Sequence, residues 1–259
     1  MTVRIGVTGA TGRMGREVLA GARERGDCTV VFAVSRSAGG DGDSVEVEGV
    51  ELDPASAFDS LLEEHEPTVV VDFTGPESAL AYADACVDAD VAFVTGTTGF
   101  DDAGFEALEE ASESIPVLHA PNFARGVQAL VNVVGEAIGN LPGYDVELVE
   151  THHNAKRDAP SGTALRILEE IESAGEFSGR TYGREGEDPR EEREIGVHAL
   201  RAGNVTGEHE VLIADNHEEL RLTHRAEDRG VFAAGALDAA VWLAECDPNR
   251  YDFSDVLES

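Results

Sequence analysis

Lysine is almost missing from this 259-residue chain: of 19 basic residues only Lys156 is a lysine, and the rest are arginines. The two cations differ chemically, because lysine can release a proton at accessible cost and arginine effectively cannot. Basic residues are also scarce beside 52 acids, and the formal net charge is −33. Such a surface repels nucleic acid and anionic membranes, so neither is expected as a partner. The acids are spread over the whole length, not gathered into a tail for a basic partner. That pattern fits a high-salt cytoplasm, where charge repulsion is screened. Cysteine is limited to Cys28, Cys86 and Cys246, odd in number and without a Cys-x-x-Cys pair. This excludes a disulfide framework and a zinc knuckle, and reads each as a small apolar residue. No apolar run approaches the ~20 residues of a membrane span. The start reads as a strand and not as a signal peptide. A soluble, cytoplasmic protein is expected.

What is present is a sizeable apolar fraction, 42%, enough to bury a core. In the first half, strands and helices alternate. Residues 2–8 read as an apolar strand, then come Gly9 to Gly15 and a helical pattern to 26. A strand over 29–34, a Gly/Asp-rich loop over 39–44 and a helix over 54–64 follow. The run 68–73 is of the buried parallel-strand type. Helix 77–88, strand 91–95, helix 102–113 and strand 116–119 complete the series. Alternation of this kind implies a parallel sheet with right-handed crossovers.

The second half reads differently. Helix 126–139 leads to strand 145–151, a polar segment and helix 161–173. Residues 175–193 read as a mobile loop. Strands 195–201, 208–214 and 219–225 follow at short spacing, which predicts an antiparallel or mixed sheet. The last helix, 231–245, has a pattern suited to packing on the first sheet. The expected class is therefore α/β. A Rossmann-type parallel-sheet domain, 1–125 with 231–259, would be interrupted by an α+β domain over 126–230.

Two regions carry chemistry. Gly9, Ala10, Thr11, Gly12, Arg13, Met14 and Gly15 stand between a strand and a helix with G-x-x-G-x-x-G spacing. Glycine there lets the backbone approach a pyrophosphate, whose charge the helix N-terminus favours; the alternative is a tight turn without a ligand. The second strand ends in Ser35 and Arg36 where an acid normally meets the adenosine ribose. Arg36 can instead meet a 2′-phosphate, which favours NADPH, with NADH open and a solvated arginine as the alternative. The loops Gly96-Thr97-Thr98-Gly99 and Ala120-Pro121-Asn122-Phe123 follow apolar strands and are placed to line a nicotinamide, although each is a weak signal alone.

The second region runs from Glu150 to Thr163 and holds His152, His153 and Lys156. Two histidines and the lone lysine offer proton donors of different strength. The alternative for Lys156 is a pair with Asp158. Pro160-Ser161-Gly162-Thr163 reads as a helix start whose amides can hold a carboxylate, or as capping alone. Adjacent histidines without a helical His-x-x-x-His pair or nearby cysteine argue against a metal. A short-chain dehydrogenase would need Tyr-x-x-x-Lys, but His152 stands four residues before Lys156. A non-catalytic NADP sensor would not need the His-His-x-x-Lys cluster.

With these residues placed, the chain resembles the 4-hydroxy-tetrahydrodipicolinate (dihydrodipicolinate) reductase family over nearly its full length. The resemblance rests on Gly9 to Gly15, Asp72-Phe73-Thr74, Gly96 to Gly99, Ala120 to Phe123, His152 to Thr163, Ile195 to Arg201 and Gly207-Glu208-His209. It implies NAD(P)H-dependent reduction of a small cyclic dicarboxylate in the diaminopimelate–lysine pathway. It further implies His152 as proton donor/acceptor, Lys156 as proton donor, and His153, Ser161, Gly162 and Thr163 as substrate-binding. The 9–14 loop, Arg36, 96–98 and 120–123 would bind cofactor. It also implies a homotetramer built through the second domain's sheet, and hinges near 125 and 230. Two departures are Ser35, where the family often has an acid, and Ala124, where it often has serine.

Overall fold

A computed structural model describes residues 2–38 and 45–257. The 39–44 stretch read as a loop lies outside the described residues. The chain divides into two compact units, Met1–Phe123 with Arg229–Ser259, and Ala124–Asp228. The protein is α/β, with a mainly parallel sheet in the first unit and a mixed sheet in the second.

The first unit runs β1 (Val3–Thr8), α1 (Arg13–Arg23), β2 (Cys28–Ser35), β3 (Val45–Val47), β4 (Val50–Pro54), α2 (Phe58–His65), β5 (Val69–Asp72), α3 (Pro76–Asp88), β6 (Ala92–Thr95), α4 (Asp102–Ser112) and β7 (Pro116–His119). After the second unit it resumes with α7 (Gly230–Leu243), β13 (Asn249–Tyr251) and α8 (Phe253–Leu257). The strand order is β13-β7-β6-β5-β1-β2-β4-β3. The central strands are apolar runs because helices cover both faces. Helices α1 and α7 pack on one face with Leu19, Ala236 and Leu237. The other face is covered by α2, α3 and α4 around Phe58, Phe93 and Leu108. The helix read from 54 begins later: β4 extends to Pro54, a single 3-10 turn spans Ala55–Ala57, and α2 starts at Phe58.

The second unit runs α5 (Arg125–Asn140), β8 (Asp145–His152), α6 (Gly162–Ala174), β9 (Gly179–Tyr182), β10 (Glu194–Arg201), β11 (Gly207–Asp215) and β12 (Glu218–Ala226). Its sheet has the order β12-β11-β8-β10-β9. Two features depart from the sequence reading. Residues 175–193 contain a strand: β9 pairs parallel with β10. It is short, polar and at the edge, so no apolar alternation marks it; Arg180 bonds to Glu172 and Thr181 to Glu194 instead. The second departure is that β10 and β11, close in sequence, are not neighbours. Strand β8 lies between them, parallel to β10 and antiparallel to β11. A tight turn through Asn216 and His217, with φ of 49° and 68°, closes the β11–β12 hairpin. One face of this sheet packs under α5 and α6 through Val146, Leu148, Val197, Val211 and Ile167. Among the described residues, no helix is long and apolar enough to cross a membrane.

Candidate active site

In the first unit β1 is flanked by β2 and β5, so the winding of the chain reverses there. Open α/β sheets bind ligands at the carboxyl ends of such strands. The loop after β1 is shaped by missing side chains. Gly9 has φ +69°, and a Cβ on it would stand 2.7 Å from the Phe73 carbonyl oxygen. A Cβ on Gly15 would stand 2.3 Å from the Gly9 carbonyl oxygen, so α1 sits on the loop more closely than any side chain allows. Gly12 is the N-cap of α1 and offers no side-chain cap. Ala10 is buried, Met14 packs on the core, and Arg13 is exposed.

A cavity of about 320 Å³ adjoins this loop, lined by Gly9, Thr11, Gly12, Arg36, Ser37 and Tyr82 among others. Among the described residues that line it there is one cation, Arg36, and no carboxylate. The Ser35 hydroxyl lies 2.7 Å from that of Thr11 and 3.0 Å from that of Ser37. A turn that Gly9, Gly12 and Gly15 keep free of side chains at three positions, at a helix N-terminus beside an arginine, fits the phosphates of a dinucleotide.

Asp72 ends β5 and is fully buried. Its carboxylate accepts hydroxyl hydrogen bonds from Thr8 (2.6 Å), Thr74 (2.7 Å), Thr95 (2.8 Å) and Thr97 (2.7 Å). This hub ties the ends of β1, β5 and β6 together and gives both buried carboxyl oxygens hydrogen-bond partners. It also engages the Thr97 hydroxyl, while the Thr97 backbone N–H donates to the Thr95 hydroxyl and its backbone carbonyl meets His119 Nε2 at 3.1 Å. Burial pushes the His119 ring down, so it is a neutral donor there. Within the 96–98 loop Thr98 is exposed, and Gly96 lies against the Phe73 ring. In the 120–123 loop Ala120 and Phe123 are buried, Pro121 is exposed and Asn122 half-buried. The Phe123 ring packs edge-on to Phe73 and Phe253, so its side chain serves the core.

In the second unit the site grows out of strand register. Along β8, Val146 and Leu148 face the helices, and period 2 puts Glu150 and His152 on that same face. On β11, His209 lies directly opposite Glu150. On β10, Arg201 is the partner of His152. The apolar face therefore ends in a polar cluster. Glu150, fully buried, receives Arg201 in a fork of 2.8 and 2.7 Å, His152 Nδ1 at 2.6 Å and the Ser161 backbone N–H at 3.0 Å. Burial alone would push its carboxyl up, but the Arg201 and His152 bonds hold it below the usual carboxylate range. An ionised carboxylate only accepts, so His152 Nδ1 carries a proton. Nε2 of His152 makes no hydrogen bond among the described residues. It lies over Gly207, where a Cβ would come within 3.2 Å. Burial pushes the His152 ring down, Glu150 pushes it partly back, and the Lys156 and Arg201 charges push it down again.

Ser161 caps α6: its Oγ accepts the Ala164 N–H at 3.1 Å and lies 3.0 Å from His209 Nε2. Gly162 and Thr163 form the first turn, at the positive end of the helix dipole, with no acid there. Lys156 pairs with Asp158 at 2.8 Å, the alternative raised by its sequence. The Asp158 carboxyl, raised by burial, is brought below its ordinary value by that lysine. The His153–Lys156 backbone closes a turn at 3.1 Å, and His153 is half-buried.

The structure thus gathers His152, Ser161 and the Gly162–Thr163 turn around Glu150, with Lys156 close enough for its charge to reach His152. It gathers the 9–14 loop, Arg36, 96–98 and 120–123 at one edge of the parallel sheet. Arg201, His209 and Asp72 lie in the stretches that carry the resemblance, and Glu150 begins the region that runs to Thr163, but their type and spacing assign them no role in the sequence. Two of these had a local signal: Glu150 is an acid at an inward strand position, and Asp72 is an acid closing a valine run.

Comparison with known proteins gives consistent matches. A model of the dihydrodipicolinate reductase N-terminus matches residues 3–123, and one of the C-terminus matches residues 126–257. A 4-hydroxy-tetrahydrodipicolinate reductase of Haloarcula marismortui is 51% identical over 99% of both chains. One of Natronomonas pharaonis is 52% identical over 97% of this chain and 98% of its own. A dipicolinate-bound dihydrodipicolinate reductase from Paenisporosarcina sp. TG-14 has the same fold, with a TM-score of 0.78 at 24% identity over 97% of this chain and 98% of that one.

Proposed function

The chain belongs to the dihydrodipicolinate reductase family, and on that premise we propose that this oxidoreductase reduces 4-hydroxy-tetrahydrodipicolinate to tetrahydrodipicolinate and water with NAD(P)H, in lysine/diaminopimelate biosynthesis. The observation that carries the chemistry is the polar end of the second unit's sheet, where Glu150 brings His152 and the start of α6 together. The first unit binds the dinucleotide, through the 9–14 loop, Arg36, 96–98 and 120–123. When bound, the nicotinamide supplies hydride.

The second unit's residues bind the substrate and manage its charge. One carboxylate is held by the Gly162 and Thr163 amides with the Ser161 hydroxyl, and His153 adds a second polar contact. His152 is neutral at rest because burial disfavours its charge. A dicarboxylate brought beside it favours the charged form, which readies a proton at Nε2. Lys156 exchanges Asp158 for substrate and donates a proton where negative charge develops. Such proton transfer contributes ~10²–10⁴-fold. The second unit's sheet also joins copies into a homotetramer, and the dispersed acids suit a high-salt cytoplasm.

NADPH is the preferred cofactor. Ser35 stands where an acid would meet the ribose, and Arg36 lines a cavity in which the described residues include no carboxylate. The test of the activity follows absorbance at 340 nm with freshly generated substrate and either cofactor, in KCl. His152→Ala and Lys156→Ala should each lower turnover at least ~100-fold while cofactor affinity stays within about twofold. Absence of oxidation by the folded wild type, or near-normal turnover in both variants, would refute the reading.

A further inference from the structure

We infer that Glu150 is a positioning residue for the reduction: its one buried carboxylate sets the tautomer of His152 and binds that ring to the start of α6. The inference rests on His152 being the proton-transfer group. Three independent contacts converge on this side chain. His152 Nδ1 lies 2.6 Å from Oε2, the Ser161 N–H donates to Oε1 at 3.0 Å, and Arg201 bridges both oxygens. Arg201 also donates to the Asp158 carbonyl at 2.6 Å, which fixes the loop that carries Lys156.

The physical consequence is a division of labour between the ring nitrogens. An acceptor-only partner keeps the proton on Nδ1 and leaves Nε2, over Gly207, as the nitrogen that exchanges protons. Moreover, an amide at Ser161 and a ring at His152 share one anchor. The distance between the carboxylate-binding turn and the proton-transfer atom is thereby set by a single rigid side chain, which is the kind of orientation that proximity effects reward.

Two measurements test this. In wild-type protein labelled with ¹⁵N-histidine, the His152 signals are assigned by their loss in His152→Asn. The ring shifts should report a proton on Nδ1 and a bare Nε2 at neutral pH. The opposite tautomer overturns the inference, whatever any variant does. In Glu150→Gln one of the two acceptor oxygens remains but the charge is gone. Turnover should fall at least ~10-fold, NADPH affinity read by fluorescence should stay unchanged, and the pH limb of kcat assigned to His152 should move to lower pH. Glu150→Asp, which keeps the charge a methylene farther away, should recover part of both. A fall in turnover with an unmoved pH limb marks a merely structural role and overturns the inference. If His152→Ala itself keeps normal turnover, the reading of His152 fails; if only the Glu150 variants are normal, that reading stands and this inference falls.

Discussion

His209 should make the protein lose stability in mild acid, by an amount the structure fixes. The ring is buried opposite Glu150, with Nε2 bonded to Ser161 and Nδ1 without a hydrogen-bond partner among the described residues. Burial lowers its pKa from 6.5 to about 3, and the charge of His152 adds to the effect. Between those values the unfolded chain binds a proton that the folded chain refuses. Stability therefore falls as pH drops below 6.5, and the loss levels off only near the folded value. At pH 5 the unfolded side chain lies about 1.5 units below its own pKa, and each unit is worth ~1.36 kcal/mol, so His209 costs ~2 kcal/mol relative to pH 8. The figure holds for any folded pKa well under 5. In His209→Gln the amide N–H can still donate to Ser161 and nothing titrates. Urea unfolding at pH 8 and pH 5, at fixed KCl, should show wild type losing ~2 kcal/mol more than the variant. His119, His152 and His224, also pushed down by burial, titrate in both proteins and cancel in the difference. Equal losses in the two proteins would refute the reasoning.

Two further outcomes are expected in the first unit. Arg36→Ala should lower kcat/KM with NADPH about 10- to 100-fold, the worth of a charge-assisted phosphate contact, and leave NADH nearly untouched; steady-state assays with both cofactors check it, and an unchanged ratio would reject the 2′-phosphate role. Gly15→Ala should cost ~1–3 kcal/mol, because its Cβ would meet the Gly9 carbonyl oxygen at 2.3 Å, a backbone atom that cannot swing away. Thermal melts and NADPH titration should show a lower Tm together with weaker binding, since relief of the clash moves α1 away from the loop.

Much of the architecture was legible because burial writes itself locally. Parallel strands covered on both faces become valine-rich runs such as Val69–Asp72, and helices carry period-3.6 apolar stripes. The Gly9 to Gly15 turn was equally readable, since missing side chains are visible in one dimension. The edge strand β9 was not, because an edge strand buries little and needs no apolar alternation. Nor was the insertion of β8 between β10 and β11, which depends on long-range pairing and not on neighbouring residues.

The candidate site divides along the same line. His152, His153, Lys156 and the Ser161 cap stand within one stretch of chain, so residue type and spacing were enough to mark them. Residue type alone also set the lone lysine apart from the arginines. What only tertiary structure decided is the anchor beneath them. Glu150 meets Arg201 across 51 positions, and Ser161 meets His209 across 48. These pairs exist because parallel β10 and antiparallel β11 settle on either side of β8 in one register, and a slip of a single residue would turn Glu150 to the opposite face.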